Sequence, residues 1–352
     1  MFLISLMLVQ CVIIFYMCLP CIIEKFPQIF YPFVFNTKNT LGHTRDNYVY
    51  FKDTGLSPST AYNYYVESLD KKSLIGVWHI IPQESDLRLR GLEPSQAISD
   101  EALRSGKPVF IYFHGNSKSR ATYWRVTIYR ILSALDMNTI AFDYRGFGDS
   151  SGEVTSEKDC VIDSLSVLRN VYSRCGKAPV FFWGHSLGTG VVGSVVRHII
   201  DHPSPDLRLP EGIILDAPFT RLASVVVLRR PLWIYRTLPY LQNRFATVIS
   251  RLQVAFDTRQ NLTDCPVPIM ILHAEDDDMV PFKLGEKLAQ SLISNRKTKV
   301  KFVRFAKRFG YKHNYIHTAP EIPDMISNFV QCILTEKENC ELSSLAEQTS
   351  IS

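Results

Sequence analysis

The chain has 352 residues, 46% of them hydrophobic and 21% charged, which is ordinary for a globular protein and ample for one large core. A net charge of +5, spread along the sequence, makes no basic stripe, so nucleic acid is not an expected partner. Of the eight cysteines, the five outside the apolar N-terminus, Cys160, Cys175, Cys265, Cys332 and Cys340, show no CxxC or Cys/His spacing, which argues against a zinc site or a dense disulfide framework.

Residues 1–23 carry no charged side chain, and Gln10 is their one strongly polar residue. A spanning helix needs roughly 20 apolar residues, so a retained transmembrane anchor is expected. A cleaved signal peptide would instead want a basic start, a shorter apolar run and a small-residue cleavage site. Phe26, Phe30, Tyr31, Phe33 and Phe35 follow in a juxtamembrane segment, 24–60. They fit an aromatic belt at the headgroups or packing against the next domain. Lys25 and Lys38 flank the apolar run on its C-terminal side only, and the positive-inside rule alone would put the remainder in the cytoplasm.

The next unit, 61–335, opens with two runs rich in aromatic and β-branched residues, 62–68 and 74–81, that read as strands. Apolar runs at 108–113, 138–144, 180–183, 212–215, 267–272 and 300–305 then alternate with helical spacing at 121–135, 156–174, 187–200, 282–293 and 320–334. This alternation predicts an α/β fold: a mostly parallel sheet flanked by helices, with the two early strands as its antiparallel edge. Residues 217–263 break the rhythm and are expected to form a helical cap over the C-terminal ends of the strands. The polar tail, 336–352, reads as disordered.

Gly184-His185-Ser186-Leu187-Gly188 matches G-x-S-x-G between a strand and a helix, the context that makes this pattern specific for an α/β-hydrolase nucleophile. The tight turn leaves no room for side chains two residues either side of the serine. A serine hydroxyl needs a base, and the base an acid, in the chain order Ser, Asp or Glu, His. The strand at 267–272 runs into His273 and the acids Glu275, Asp276, Asp277 and Asp278, which chemistry alone does not separate. The last strand leads to His313 and His317, either of which could be the base. The oxyanion donors expected are the N–H groups of Leu187, directly after the nucleophile, and of Asn116, in the loop after 108–113. Residues 143–150 read as a turn held by glycines and an Arg–Asp pair.

The motifs HGN (114–116), DYRGFGDS (143–150), GHSLGTG (184–190), LHAEDDDMVPF (272–282) and GYKHNYI (310–316), in that order, resemble the alpha/beta-hydrolase domain-containing protein 12 family. Its members are integral-membrane lysophosphatidylserine and monoacylglycerol lipases, and the likeness covers roughly residues 60 to 335. The resemblance implies Asp277 as the acid, from the pattern H-[GA]-x-x-D-x-x-V-P, His313 as the base and Ser186 as the nucleophile. It also implies a catalytic domain facing the endoplasmic reticulum lumen or the cell exterior, against the charge reading, and there the sequon at Asn261 would be usable. Family members usually carry a longer segment before the anchor, which here begins at Met1.

The expected activity is hydrolysis of fatty-acyl esters of lysophospholipids, lysophosphatidylserine among them, and monoacylglycerols, with no metal or organic cofactor. A peptidase or thioesterase on the same fold is the near alternative, since function lives in the pocket; an inactive binding scaffold is the distant one. The insertion holds seven arginines against the single acid Asp257. Arg229, Arg230 and Arg236, with Trp233, are the candidate substrate contacts, because a guanidinium suits phosphate and carboxylate.

Overall fold

A computed structural model describes residues 2–38, 43–57, 59–83, 95–227, 239–295, 297–335 and 349–351. Strands β1 (Ala61–Glu67), β2 (Leu74–Ile80), β3 (Val109–Phe113), β4 (Asn138–Phe142), β5 (Val180–His185), β6 (Gly212–Asp216), β7 (Ile269–Ala274), β8 (Val300–Phe305) and β9 (Thr349–Ile351) form one sheet, ordered β1-β2-β4-β3-β5-β6-β7-β8-β9. The β1–β2 and β2–β4 pairs are antiparallel, and the others are parallel. Every residue of β3, β5, β6 and β7 is buried, as parallel strands covered on both faces require. Along β3 the side chains alternate: Val109, Ile111 and Phe113 enter one core, Phe110 and Tyr112 the other.

The main helices among the described residues are α1 (Phe2–Lys25), α2 (Gln96–Arg104), α3 (Tyr123–Ala134), α4 (Glu157–Cys175), α5 (Leu187–Asp201), α6 (Leu222–Val226), α7 (Pro239–Arg251), α8 (Phe282–Ser294) and α9 (Ile322–Leu334). α4, α5 and α8 cover the first core, and α3 and α9 cover the second. α4 starts where Ser156 and Asp159 exchange hydrogen bonds, a capping box that fixes its N-terminus.

The strands run further than the apolar runs suggest. His185, Asp216 and His273 are polar yet buried, and each extends its strand to the rim. Thr349–Ile351, expected to be disordered, instead pairs parallel with β8, where it satisfies backbone groups of an otherwise open edge. The rest of the tail, 336–348, lies outside the described residues.

The insertion after β6 folds back onto the first core through Phe219, Leu222 and Val226 and, from α7, through Phe245, Val248 and Ile249. The chain after α1 bends by 108° and runs on to Val34. Among the described residues no single helix is long and apolar enough to cross a membrane, and this bent pair alone passes the test jointly. Part of the N-terminal chain packs inward: Ile23, Phe30, Val34 and Phe35 are buried, and Phe30 meets Phe245 edge-on at 6.1 Å.

Candidate active site

β5 ends in a turn that places Ser186 at φ 54°, ψ −119°, strained for a side chain with a Cβ. The flanking glycines make it possible. A Cβ on Gly184 would lie 2.7 Å from the Gly188 carbonyl oxygen, and one on Gly188 would collide with the Phe113 carbonyl. The serine hydroxyl stands 2.9 Å from Nε2 of His313, whose Nδ1 lies 2.8 Å from Oδ2 of Asp277. Ser186, His313 and Asp277 thus form one hydrogen-bonded line, all three largely buried.

The four consecutive acids separate by environment. Glu275 accepts from the backbone of Lys307 and pairs with Arg304, Asp276 accepts from Lys312 N–H at 3.1 Å, and Asp278 is exposed. Asp277 alone is buried, and its Oδ1 accepts the backbone N–H groups of Met279 and Val280, each at 2.8 Å. Burial pushes its pKa up, but hydrogen bonds from His273 and His313 outweigh that and hold the carboxyl far below the usual range. Asp216, in register with His185, behaves oppositely: burial and then the charge of Asp277 raise it well above the carboxylate range. His317 is turned elsewhere, with its Nδ1 on the Asn314 carbonyl at 3.0 Å.

Two supporting histidines were not apparent from sequence. His273 Nε2 bonds the Val280 carbonyl at 2.9 Å and lies 3.3 Å from Asp277 Oδ2. His185 Nε2 donates to the His313 carbonyl at 3.0 Å; burial lowers its pKa to about 3, so the ring is neutral and one nitrogen carries the proton. Their roles depend on strand register rather than on any local pattern; the only sequence signal was a histidine at the end of each strand.

Above the serine opens a cavity of ≈ 380 Å³, reached by Asn116, Ser186, Leu187 and His313 at one end and lined elsewhere by apolar side chains such as Phe219, Leu222, Val226 and Met279. Residues 143–150 form a structural turn away from this lining, held by Arg–Asp pairs whose partners lie outside the motif. Asp143 and Asp149 both bind Arg120, while Arg145 reaches Asp163 on α4 at 2.7 Å and Asp70 at 3.0 Å. Asn261 points inward, its Nδ2 donating to Ser194 Oγ on α5 at 3.0 Å. A glycan there would break this contact, which argues against use of the sequon at Asn261. Arg229, Arg230, Trp233 and Arg236 lie outside the described residues.

Residues 105–255 match the family model described as serine aminopeptidase, S33. Lysophosphatidylserine lipase ABHD12 of Rattus norvegicus is 36% identical to this chain over 91% of it and 78% of the relative. The chain belongs to the ABHD12 family. The Gallus gallus lipase is 38% identical over 79% of this chain and 71% of its own, and Protein ABHD12B of Homo sapiens is 31% identical over 76% and 72%. Among solved structures, Est1E from Butyrivibrio proteoclasticus with bound ferulic acid aligns at a TM-score of 0.55, covering 77% of this chain and 99% of its own at 16% identity. The Pyrococcus furiosus esterase Pf2001 aligns at 0.53, over 84% and 96%, also at 16% identity. These two share the fold, an α/β hydrolase. As an ABHD12-family member the protein is an ester hydrolase.

Proposed function

We propose that the protein is a membrane-bound lipase that cleaves the fatty-acyl ester of lysophospholipids, lysophosphatidylserine first among them, and of monoacylglycerols. The observation that carries this reading is an apolar chamber ending at a serine–histidine–aspartate line. Its volume is at the low end of small-ligand cavities, roughly 300–1,000 Å³, which suits a lipid with one chain better than one with two.

Ser186 Oγ attacks the ester carbonyl carbon as His313 Nε2 takes its proton. Asp277 orients the imidazole and stabilises its cation. Backbone N–H groups of Asn116 and Leu187 hold the oxyanion; losing one such donor costs roughly 100- to 1,000-fold. The tetrahedral intermediate expels the glycerol oxygen, which leaves with the proton from His313. Water, activated by the same histidine, then attacks the acyl-serine and releases the fatty acid.

The apolar and exposed Val12, Ile13, Ile14 and Met17 support insertion of α1 into a bilayer. Cys332 is disulfide-bonded, which favours an oxidising compartment and so a lumenal or extracellular catalytic domain. Arginines of the insertion, Arg229, Arg230 and Arg236 with Trp233 beside them, are proposed to read the anionic headgroup. A fluorophosphonate probe should label wild type and not Ser186→Ala. With Arg229→Gln and Arg230→Gln combined, hydrolysis of soluble short-chain lysophosphatidylserine should fall while monoacylglycerol hydrolysis holds. Equal losses would sink the headgroup reading, and turnover of peptides but not of acyl esters would sink the lipase reading.

A further inference from the structure

The walls of the chamber have different origins. One is the insertion, through Phe219, Leu222, Val225 and Val226. The other is the N-terminal chain, which supplies seven of the seventeen lining residues: Phe15, Leu19 and Ile23 from α1, then Ile29, Phe30, Phe33 and Val34 beyond the bend. Ile23, Phe30 and Val34 are almost completely buried and stand deep in the chamber. Phe15, Ile29 and Phe33 are 52%, 52% and 68% exposed and stand at its mouth, continuous with the apolar outer face of α1.

The same segment holds the oxyanion loop. Asn36 N–H donates to the Asn116 carbonyl at 2.8 Å, Asn116 Nδ2 reaches the Phe33 carbonyl at 3.4 Å, and Asn36 forms a parallel bridge with Ser117. The polar lining residues, Asn116, Ser186 and His313, gather where an ester would sit, so the depth of the chamber offers a headgroup nothing to bond.

We propose that residues 15–36 are part of the active site: they wall the chamber that takes the acyl chain, set the chain length accepted, and open it towards the apolar phase around α1, so that the lipid enters from the bilayer side. This rests on the esterase reading above. Membrane attachment and substrate selection would then reside in one N-terminal segment.

The test uses the full chain in detergent micelles, with Leu19→Trp and Ile23→Trp. Rates on an oleoyl lysolipid and on p-nitrophenyl acetate are expressed per serine labelled by diisopropyl fluorophosphate, so unfolded protein does not count. Filling the chamber should lower the oleoyl-to-acetate ratio of kcat/KM about tenfold or more, because added bulk has no room beside a long chain. Ile23→Ala, which enlarges the chamber, should move the preferred chain to greater length. Ratios and length preference equal to wild type in all three variants would overturn the proposal. Failure of wild type to label or to turn over either ester would overturn the esterase reading itself, and wild type alone tells the two apart.

Discussion

His273 Nε2 stands 3.3 Å from Asp277 Oδ2, the oxygen that also accepts from His313 at 2.8 Å. Gly285 leaves it space, since a Cβ there would collide with the His273 ring. His273 is therefore expected to act through Asp277 as a positioning residue, outside the chamber lining. His273→Ala should lower kcat roughly 10- to 100-fold, the loss expected from one hydrogen bond to a charged group, with KM little changed. His273→Gln, which keeps a donor, should recover part of it. Steady-state kinetics check this; a rise in KM at constant kcat would show that His273 contacts substrate instead.

Ser186→Ala, Asp277→Asn and His313→Ala should each cost about 10⁴-fold or more in esterase turnover, and double variants little beyond the singles, because the three act as a unit. His317→Ala should retain most activity, as its ring bonds Asn314 rather than the serine. Melting temperatures measured alongside separate chemistry from unfolding. Full turnover in His313→Ala with loss in His317→Ala would reverse the choice of base.

Ser186 was legible because a strand, a tight turn and a helix must meet at G-x-S-x-G, and each leaves its own local mark. Glu275 to Asp278 were not separable by chemistry: four adjacent carboxyls differ only in which one tertiary packing buries and bonds, and that is Asp277. The α/β alternation was readable from continuous apolar strands, but their ends were not, because His185 and His273 are polar residues buried by neighbouring loops. The aromatic run 26–35 allowed packing against the next domain but did not show where, since Asn36 and Asn116 meet across the chain through backbone groups that any residues carry.

His79 bridges Ser99 and Asn138 at 2.8 and 2.9 Å, and burial lowers its pKa to about 4. An unfolded histidine takes a proton below roughly pH 6.5, whereas the folded one refuses it until about pH 4. The stability that His79 contributes is thus present above pH 6.5 and is lost as pH falls towards 4, by roughly 3 kcal/mol at most. Urea unfolding at pH 7 and pH 5 should show wild type losing roughly 2 kcal/mol more than His79→Gln. Equal acid sensitivity of the two proteins would contradict a neutral buried imidazole.

Gly188 and Gly106 give opposite expectations for the same substitution. A Cβ at Gly106, with φ at +81°, would meet nothing within 4 Å, so Gly106→Ala should cost about 1–2 kcal/mol of stability from backbone strain and leave kcat unchanged. A Cβ at Gly188 would meet the backbone carbonyls of Phe113 and His114. These belong to the end of β3, which cannot yield by rotating a side chain and leads directly into Asn116. Relief must push the loop of Asn116, the proposed oxyanion donor, away from Ser186 or straighten the turn that holds the serine at positive φ. Gly188→Ala should therefore lose turnover by at least the roughly 100-fold associated with one misplaced oxyanion donor, out of proportion to its loss of stability. Fluorophosphonate labelling rate and denaturant midpoint, measured on the same preparation, compare the two sites. Normal labelling by Gly188→Ala would mean that β3 and the serine turn are less tightly apposed than these contacts require.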